Sequence, residues 1–325
     1  MRCEWSLVAD IGGTNARFSA VPLGELQSEY EFHHSVQEHP QFSDLIVDVL
    51  KEIHAATGWD YAPKNACFAV ACPADMDEIS FTNSHWNFTK TQLKQLLNCE
   101  QVWVVNDFEA VAHGITELSD NDLVQIGGAE PVANKPIGIL GAGTGLGIAG
   151  LVQLGDSYHV IDTEGGHADY PPINDLQAAV VNLLRQEYGR VSLERLLSGK
   201  GIINIYKSLC ALESAEQLYE KPADVVAAAQ KSEDPRAVKT LHMFCEGMGS
   251  AAGNLALTLG AKGGIYIAGG VVPKFQDFFI SSDFRLKFED KGRFVNYLKP
   301  IPVYLVVRNN LGLIGAAKRL MLGKE

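Results

Sequence analysis

Two stretches of this chain share one design. ADIGGTNARFSAV, residues 9–21, and LGAGTGLGIAGLV, residues 140–152, each read as an apolar strand, a Gly-Thr turn and a second apolar strand. Such a segment folds as a hairpin whose corner glycines lack Cβ atoms, so the backbone there tolerates φ > 0 and lets another group approach closely. One such hairpin in each half, with its Gly-Thr pair at Gly13-Thr14 and at Gly143-Thr144, predicts two related α/β lobes facing each other. The cleft between such lobes is the default place for a ligand. At 325 residues the chain is longer than one hydrophobic core usually supports, which favours two domains or a single large α/β unit with a cleft.

The rest of the sequence agrees with alternating layers. Short apolar runs ending in Gly or Asp alternate with helix-period segments, the pattern of an α/β protein. Strands are expected at Leu7 to Ala9, Cys67 to Cys72, Val102 to Val105, Ile137 to Leu140, Ile265 to Ala268 and Val303 to Val307. Phe42, Leu45, Ile46, Val49, Leu50 and Ile53, spaced by three and four, mark an amphipathic helix. A second helix is expected from about Pro235 to Leu259, closed by Gly260 as its C-cap.

Composition excludes several functions. The chain carries 27 Lys and Arg against 39 Asp and Glu, a net charge of −12, and no basic block offsets it. A general electrostatic hold on nucleic acid or anionic lipid is therefore not expected, and anionic substrates need local sites made by backbone. The start, MRCEWSLVADIGGTN, has no apolar signal core or small-residue cleavage site, and no apolar run is long enough to span a bilayer, so a cytoplasmic protein without a membrane partner is expected. The six cysteines (Cys3, Cys67, Cys72, Cys99, Cys210 and Cys245) include no C-x-x-C, and buried thiols are expected rather than disulfides or a structural zinc.

The glycine turns raise the question of phosphate. Backbone N–H groups at a Gly-rich corner can cradle an anion, yet each hairpin taken alone reads equally as a plain turn. Their pairing, with a third turn at Ala268-Gly269-Gly270 after an apolar strand, strengthens the phosphate reading. Gly145, Gly147 and Gly150 fit G-x-G-x-x-G, but Leu151, Val152 and Leu154 continue as a strand rather than a helix, which removes the dinucleotide reading. No P-loop motif is present, and Asn87-Phe88-Thr89 fits the glycosylation pattern only in a chain that meets that machinery.

Three polar groups stand out. Asn106 and Asp107 follow Val102-Trp103-Val104-Val105, at the C-terminal end of a buried strand, the edge where open α/β sheets bind ligands. Asp107 either caps the helix that follows or serves as a general base, or does both. Glu164-Gly165-Gly166-His167 follows the second hairpin, and its glycines favour an exposed imidazole over a structural one. Glu194 reads as a solvated helix residue, and spacing alone does not single it out.

As an ordered set, Asp10-Ile11-Gly12-Gly13-Thr14-Asn15-Ala16-Arg17, Asn106-Asp107-Phe108, Gly127-Gly128-Ala129-Glu130-Pro131, Gly141 to Gly147, Glu164-Gly165-Gly166-His167, Leu197-Ser198-Gly199, Ala268-Gly269-Gly270-Val271-Val272-Pro273 and Phe288-Glu289-Asp290-Lys291-Gly292-Arg293-Phe294 resemble the motifs of bacterial glucokinases, from about residue 7 to about residue 315. The resemblance implies a duplicated actin-like ATPase (ribonuclease H-like) α/β fold with two lobes and a central cleft. The small lobe would comprise residues 1–117 with 308–325, the large lobe 118–307. It implies phosphorylation of glucose by ATP with Mg²⁺, giving glucose 6-phosphate, the first step of glycolysis, by a cytoplasmic homodimer. Carried over by position, Asn106, Asp107, Glu164, His167 and Glu194 would bind the sugar, and Asp107 would take the 6-hydroxyl proton. Asp10, Gly12, Gly13, Thr14, Asn15, Gly143, Thr144, Gly145, Gly269 and Gly270 would hold the nucleotide, and Asp10 would orient Mg²⁺ through water.

The sequence also departs from its relatives. Ala9 stands where many members of the family carry Gly, a change that tightens the strand without removing phosphate binding. The cysteine-rich zinc motif of the related repressor and kinase family is absent, which leaves His167 for sugar. The alternatives are a kinase for fructose, mannose or an N-acetylated hexosamine, and a sugar-responsive regulator. The regulator needs an N-terminal helix-turn-helix of about 60 residues, whereas the first hairpin begins by residue 10.

Overall fold

The computed structural model describes residues 4–81 and 86–323, so Cys3 lies outside the described residues. The chain divides into two compact units, one running up to Ser119 and resuming at Arg308, the other spanning Asp120–Val307.

In the first unit, β1 (Trp5–Ile11) and β2 (Asn15–Pro22) form the expected antiparallel hairpin, with Asp10 opposite Arg17 and Ile11 opposite Ala16. Strand β3 (Glu31–Ser35) extends the sheet beyond β2. On the other side, β4 (Asn65–Val70) pairs parallel with β1, and a short ribbon of β5 (Glu78–Ser80) and β6 (Asn87–Thr89) leads to β7 (Gln101–Asn106), parallel to β4. The sheet order is therefore β3-β2-β1-β4-β7.

Alternation assigns the two faces. Leu7, Ala9, Ile11, Phe68 and Val70 pack with Phe42, Leu45, Ile46, Val49 and Ile53 of the helix Phe42–Thr57. Val8, Cys67, Ala69 and Val105 pack instead with Ala110, Leu313, Ala316 and Ala317, from the helices Asp107–Ile115 and Leu311–Met321. Those two helices touch backbone to backbone: a Cβ on Gly315 would lie 1.6 Å from the Ala110 carbonyl oxygen, and one on Gly114 would lie 2.6 Å from that of Leu311.

The second unit repeats the topology. Strands β9 (Ile137–Ala142) and β10 (Leu146–Leu154) form the hairpin, β11 (Ser157–Thr163) adds to β10, and β12 (Ile265–Ala268) and β13 (Val303–Val306) follow in parallel beside β9. A further strand, β8 (Leu123–Gln125), closes the order β11-β10-β9-β12-β13-β8. Because β10 is a strand, the G-x-G-x-x-G run at Gly145, Gly147 and Gly150 lacks the helix a dinucleotide site needs.

The core of this unit gathers around the helix Pro235–Leu259, which ends at Gly260 in the left-handed region with φ 64. Gly249 and Gly253 of that helix press on the carbonyls of Phe284 and Phe288, where Cβ atoms would lie at 2.1 and 2.4 Å. Arg285 donates to the carbonyls of Ile301 at 2.9 Å and Lys299 at 2.8 Å, with Gly127 against its guanidinium. Lys291 donates to Ser250 Oγ at 2.9 Å. The GGAEP and FEDKGRF stretches are thus architecture of this unit. The cysteines among the described residues are free and buried.

Candidate active site

The first unit gathers its candidates at the C-terminal edge of its parallel strands. Ile11, Val70 and Asn106 share one register row across β1, β4 and β7, so Asp10 and Asp107 end neighbouring parts of one edge. Beyond Ile11 the corner Gly12–Asn15 closes through Gly12 N–H to the Asn15 carbonyl at 2.9 Å, and the Thr14 carbonyl accepts Val36 N–H at 3.0 Å. Gly12 keeps an ordinary φ, and a Cβ there would meet only the Asn15 carbonyl at 3.6 Å, so this corner is open rather than strained.

Asp10 is half-buried, with Arg17 Nη1 at 3.7 Å across the hairpin. Burial pushes its carboxyl above the ordinary carboxylate range, and the guanidinium opposes that push. At the end of β7 the capping question resolves by side chain. Asn106 Oδ1 accepts Phe108 N–H at 2.7 Å and Glu109 N–H at 3.4 Å, so Asn106 is the N-cap and Asp107 is the first helical residue. Burial raises the Cys72 thiol to about 11, and the Asp107 carboxylate adds to that push.

The second unit builds its share around one peptide. Leu146 opens β10 directly after the corner Gly143–Gly145, and its N–H donates to Glu194 Oε2 at 3.0 Å. On the other side of the same residue, Gly166 packs so close that a Cβ would lie 1.9 Å from the Leu146 carbonyl oxygen. Glu194 itself lies on a 3₁₀ turn, Leu193–Arg195, not on the helix the sequence suggested. Backbone bonds from Leu193 N–H to the Ala168 carbonyl at 2.8 Å and from Tyr170 N–H to the Val191 carbonyl at 3.0 Å tie that turn to the Glu164–His167 loop. Glu164 and His167 are exposed, with His167 Nε2 3.8 Å from Glu164 Oε2. Glu164, His167 and Glu194 are thereby brought to one place within this unit.

The corner Gly143–Gly145 is held from behind. Gly143 N–H donates to the Gly145 carbonyl at 2.8 Å, the Gly143 carbonyl accepts Gly199 N–H at 2.9 Å, and Val271 N–H reaches the Ala142 carbonyl at 3.1 Å. The last bond brings the Gly269-Gly270 turn alongside, and Gly269, at φ 88, leaves only 2.4 Å from a Cβ to the Ala142 carbonyl oxygen. Around Gly143 and Gly270, by contrast, a Cβ would meet nothing within 4 Å.

The Glucokinase family profile matches residues 7–322, which takes in every candidate residue above. The chain belongs to the glucokinase family. It is 40% identical over 324 residues to the glucokinase of Hahella chejuensis, covering 98% of each chain. Its fold matches a crystal structure of glucokinase from an Antarctic psychrotroph with a TM-score of 0.83 at 34% identity, over 98% of this chain and 99% of that one. At 18% identity and a TM-score of 0.67 it also shares the fold of a ROK family glucokinase from Streptomyces griseus, solved with glucose and AMPPNP, over 98% of this chain and all of that one. The duplicated topology of the two sheets is the actin-like ATPase fold of these sugar kinases.

Sequence does not single out Gly312, and it offers Ser198-Gly199 only as part of the family motifs. Gly312, in the first turn of Leu311–Met321, lies against Asp10: a Cβ there would be 2.9 Å from Asp10 Cγ. Ser198 and Gly199 begin the helix Gly199–Leu212 and touch the Gly143 corner, with Ser198 Oγ capping Gly201 N–H at 3.0 Å. An Asn-x-Gly ahead of an apolar helical run and a Ser-Gly cap were the available signals, but neither names its distant partner.

Proposed function

We propose that the protein transfers the terminal phosphoryl group of ATP to the 6-hydroxyl of glucose, with Asp107 as the base. The observation that carries this reading is the division of work at the end of β7. Asn106 supplies the N-cap bonds to Phe108 and Glu109 N–H, and Asp107 follows it as the first helical residue at the end of β7. A carboxylate there takes the 6-hydroxyl proton as the oxygen attacks phosphorus.

Glucose offers many hydroxyls and no charge, so recognition rests on fixed donors and acceptors. Asn106, Glu164, His167 and Glu194 supply them, and a wrong epimer leaves a partner unpaired at roughly 1–3 kcal/mol per group. The corners Gly12–Asn15 and Gly143–Gly145 hold the nucleotide's phosphates through backbone, and the Gly269-Gly270 turn, open at Gly270, serves the adenosine side.

Asp10 fits a role toward Mg²⁺ bound with the nucleotide. Among the described residues no group of three or more His, Cys, Asp or Glu side chains could hold a metal. A single half-buried carboxylate beside a phosphate corner suits a cation that keeps most of its waters and leans on phosphate oxygens. When bound, Mg²⁺ supplies charge neutralisation on the phosphates. Asp10 orients that water shell, and Arg17 steadies Asp10.

The same reading takes the working protein to be a homodimer at the first step of glycolysis in the cytoplasm. Among the described residues no helix is long and apolar enough to cross a membrane. The deciding experiment is a hexose panel with ATP and Mg²⁺. Glucose is expected to give the highest kcat/KM, and a clear preference for fructose, mannose or an N-acetylated hexosamine would overturn the assignment. Light scattering of the purified protein tests the dimer.

A further inference from the structure

Glu194 holds the Gly143–Gly145 corner at both ends. Its side chain reaches the corner's exit, where Oε2 accepts Leu146 N–H at 3.0 Å. Its backbone reaches the corner's start: the Glu194 carbonyl accepts Ser198 Oγ–H at 2.8 Å, and the next residue, Gly199, donates N–H to the Gly143 carbonyl at 2.9 Å. The segment 194–199 and the corner thus form a closed circuit of hydrogen bonds.

Gly145 is the tightest point of that circuit. A Cβ at this position would lie 2.3 Å from Glu194 Oε2 and 3.2 Å from its Cδ. Gly145 has an ordinary φ, so backbone conformation does not demand glycine there. What demands it is the approach of the carboxylate. A carboxylate has two oxygens, and holding one on a backbone N–H fixes the plane in which the other can accept a sugar hydroxyl.

We propose that Glu194 couples the two substrates: the carboxylate that receives the sugar is the same group that sets the nucleotide's phosphate corner. This rests on the kinase reading above. A hydroxyl donated to the second oxygen stops the carboxylate from rotating, so Leu146 N–H and the Gly143–Gly145 backbone are held in one arrangement. Phosphates seated on the corner act in reverse, holding Leu146 and through it the carboxylate. Thermodynamic linkage makes the two effects equal, so sugar must tighten nucleotide by the factor by which nucleotide tightens sugar.

The test is calorimetric titration of MgADP into the full chain with and without saturating glucose, and of glucose with and without MgADP. The wild-type protein is expected to show a coupling factor of about fivefold or more, equal in both directions. Glu194→Asp, one methylene too short to reach Leu146 N–H, and Gly145→Ala, which displaces Oε2, are expected to bring the factor to within about twofold of one. Glu194→Gln keeps the reach and one oxygen for Leu146 N–H but puts an amide NH2 where the sugar hydroxyl would be accepted, so it is expected to lose the coupling as well while its MgADP affinity stays near the wild-type value.

A merely structural buttress would weaken both affinities and leave their ratio alone. Undiminished coupling in Glu194→Asp, which adds no atoms and is expected to fold even if Gly145→Ala does not, overturns the proposal. So does undiminished coupling in Glu194→Gln. A wild-type enzyme that phosphorylates glucose but binds the two ligands independently sinks the coupling alone, whereas one that phosphorylates no hexose sinks the kinase reading and the coupling with it.

Discussion

The two glycine ribbons look alike in sequence and differ in what supports them. Between the last paired residues, the first corner spans residues 12–15 and the second only residues 143–145. The first brings its own acid, Asp10, on the strand that leads into it, and Arg17 answers from across the hairpin. The second has a fully buried Leu140 on its incoming strand and takes its acid from Glu194, far along the chain. A duplicated scaffold has thus divided its labour. Under the proposed reading both corners hold phosphate and Asn106 joins the sugar contacts, but the acids differ: Asp10 and Asp107 of the first unit serve proton and cation chemistry, and Glu194 of the second serves to hold.

On that division, substitutions at or against Asp10 and Asp107 lower kcat, and substitutions around the second corner raise KM. The largest effect belongs to Asp107→Ala, expected to lower kcat by at least ~10²-fold while glucose binding, measured calorimetrically, stays within about threefold. Retention of more than about a tenth of wild-type turnover would remove Asp107 from the base role and break the comparison at its strongest point.

Gly312→Ala comes next. Its new methyl would stand 2.9 Å from Asp10 Cγ and 3.0 Å from Oδ2, so the carboxylate must shift. A misplaced catalytic group of this kind is expected to lower kcat about tenfold, with glucose KM within about twofold and a higher Mg²⁺ requirement. A rise in glucose KM with unchanged kcat would mean that Asp10 belongs to the holding side.

These two cases also show what could be read in advance. The helix Pro235–Leu259 and its Gly260 cap were legible because propensity, Pro at the start and Gly at the end agree locally. Strand β12 was legible for the same reason, as an apolar run stopped by glycines. Glu194 was not, because its partner is a backbone N–H 48 residues away and nothing in a 3₁₀ turn announces such a bond. The order of capping at Asn106 and Asp107 was likewise open, since adjacent Asn and Asp compete for one role and only backbone placement decides. At the turn glycines the φ > 0 that the sequence allows is not used. Gly12, Gly143 and Gly145 all have ordinary φ; at Gly145 the close approach of Glu194 demands glycine, whereas a Cβ on Gly12 or Gly143 would meet nothing closer than 3.6 Å.

That last distinction yields a smaller prediction inside the second ribbon. A methyl on Gly143 or Gly270 enters open space, so Gly143→Ala and Gly270→Ala are expected to leave Tm within about 2 °C while raising KM for ATP roughly three- to tenfold. Thermal melts beside ATP titrations check this. A loss of Tm without a change in KM would show that these corners are structural turns.

The smallest effect probes the neighbourhood of Asp107 without any substrate. Burial is the larger cause of the raised Cys72 thiol and the Asp107 carboxylate the smaller, so at pH 9 the thiol is still almost wholly protonated. Both causes act in the same direction, because each disfavours the thiolate. Removing the negative charge in Asp107→Asn therefore lowers the Cys72 pKa, though burial keeps it well above that of a free thiol. Alkylation of Cys72 by iodoacetamide at pH 9, followed by peptide mass spectrometry, is expected to quicken about two- to fivefold in that variant. An unchanged rate would separate the thiol from the carboxylate's charge.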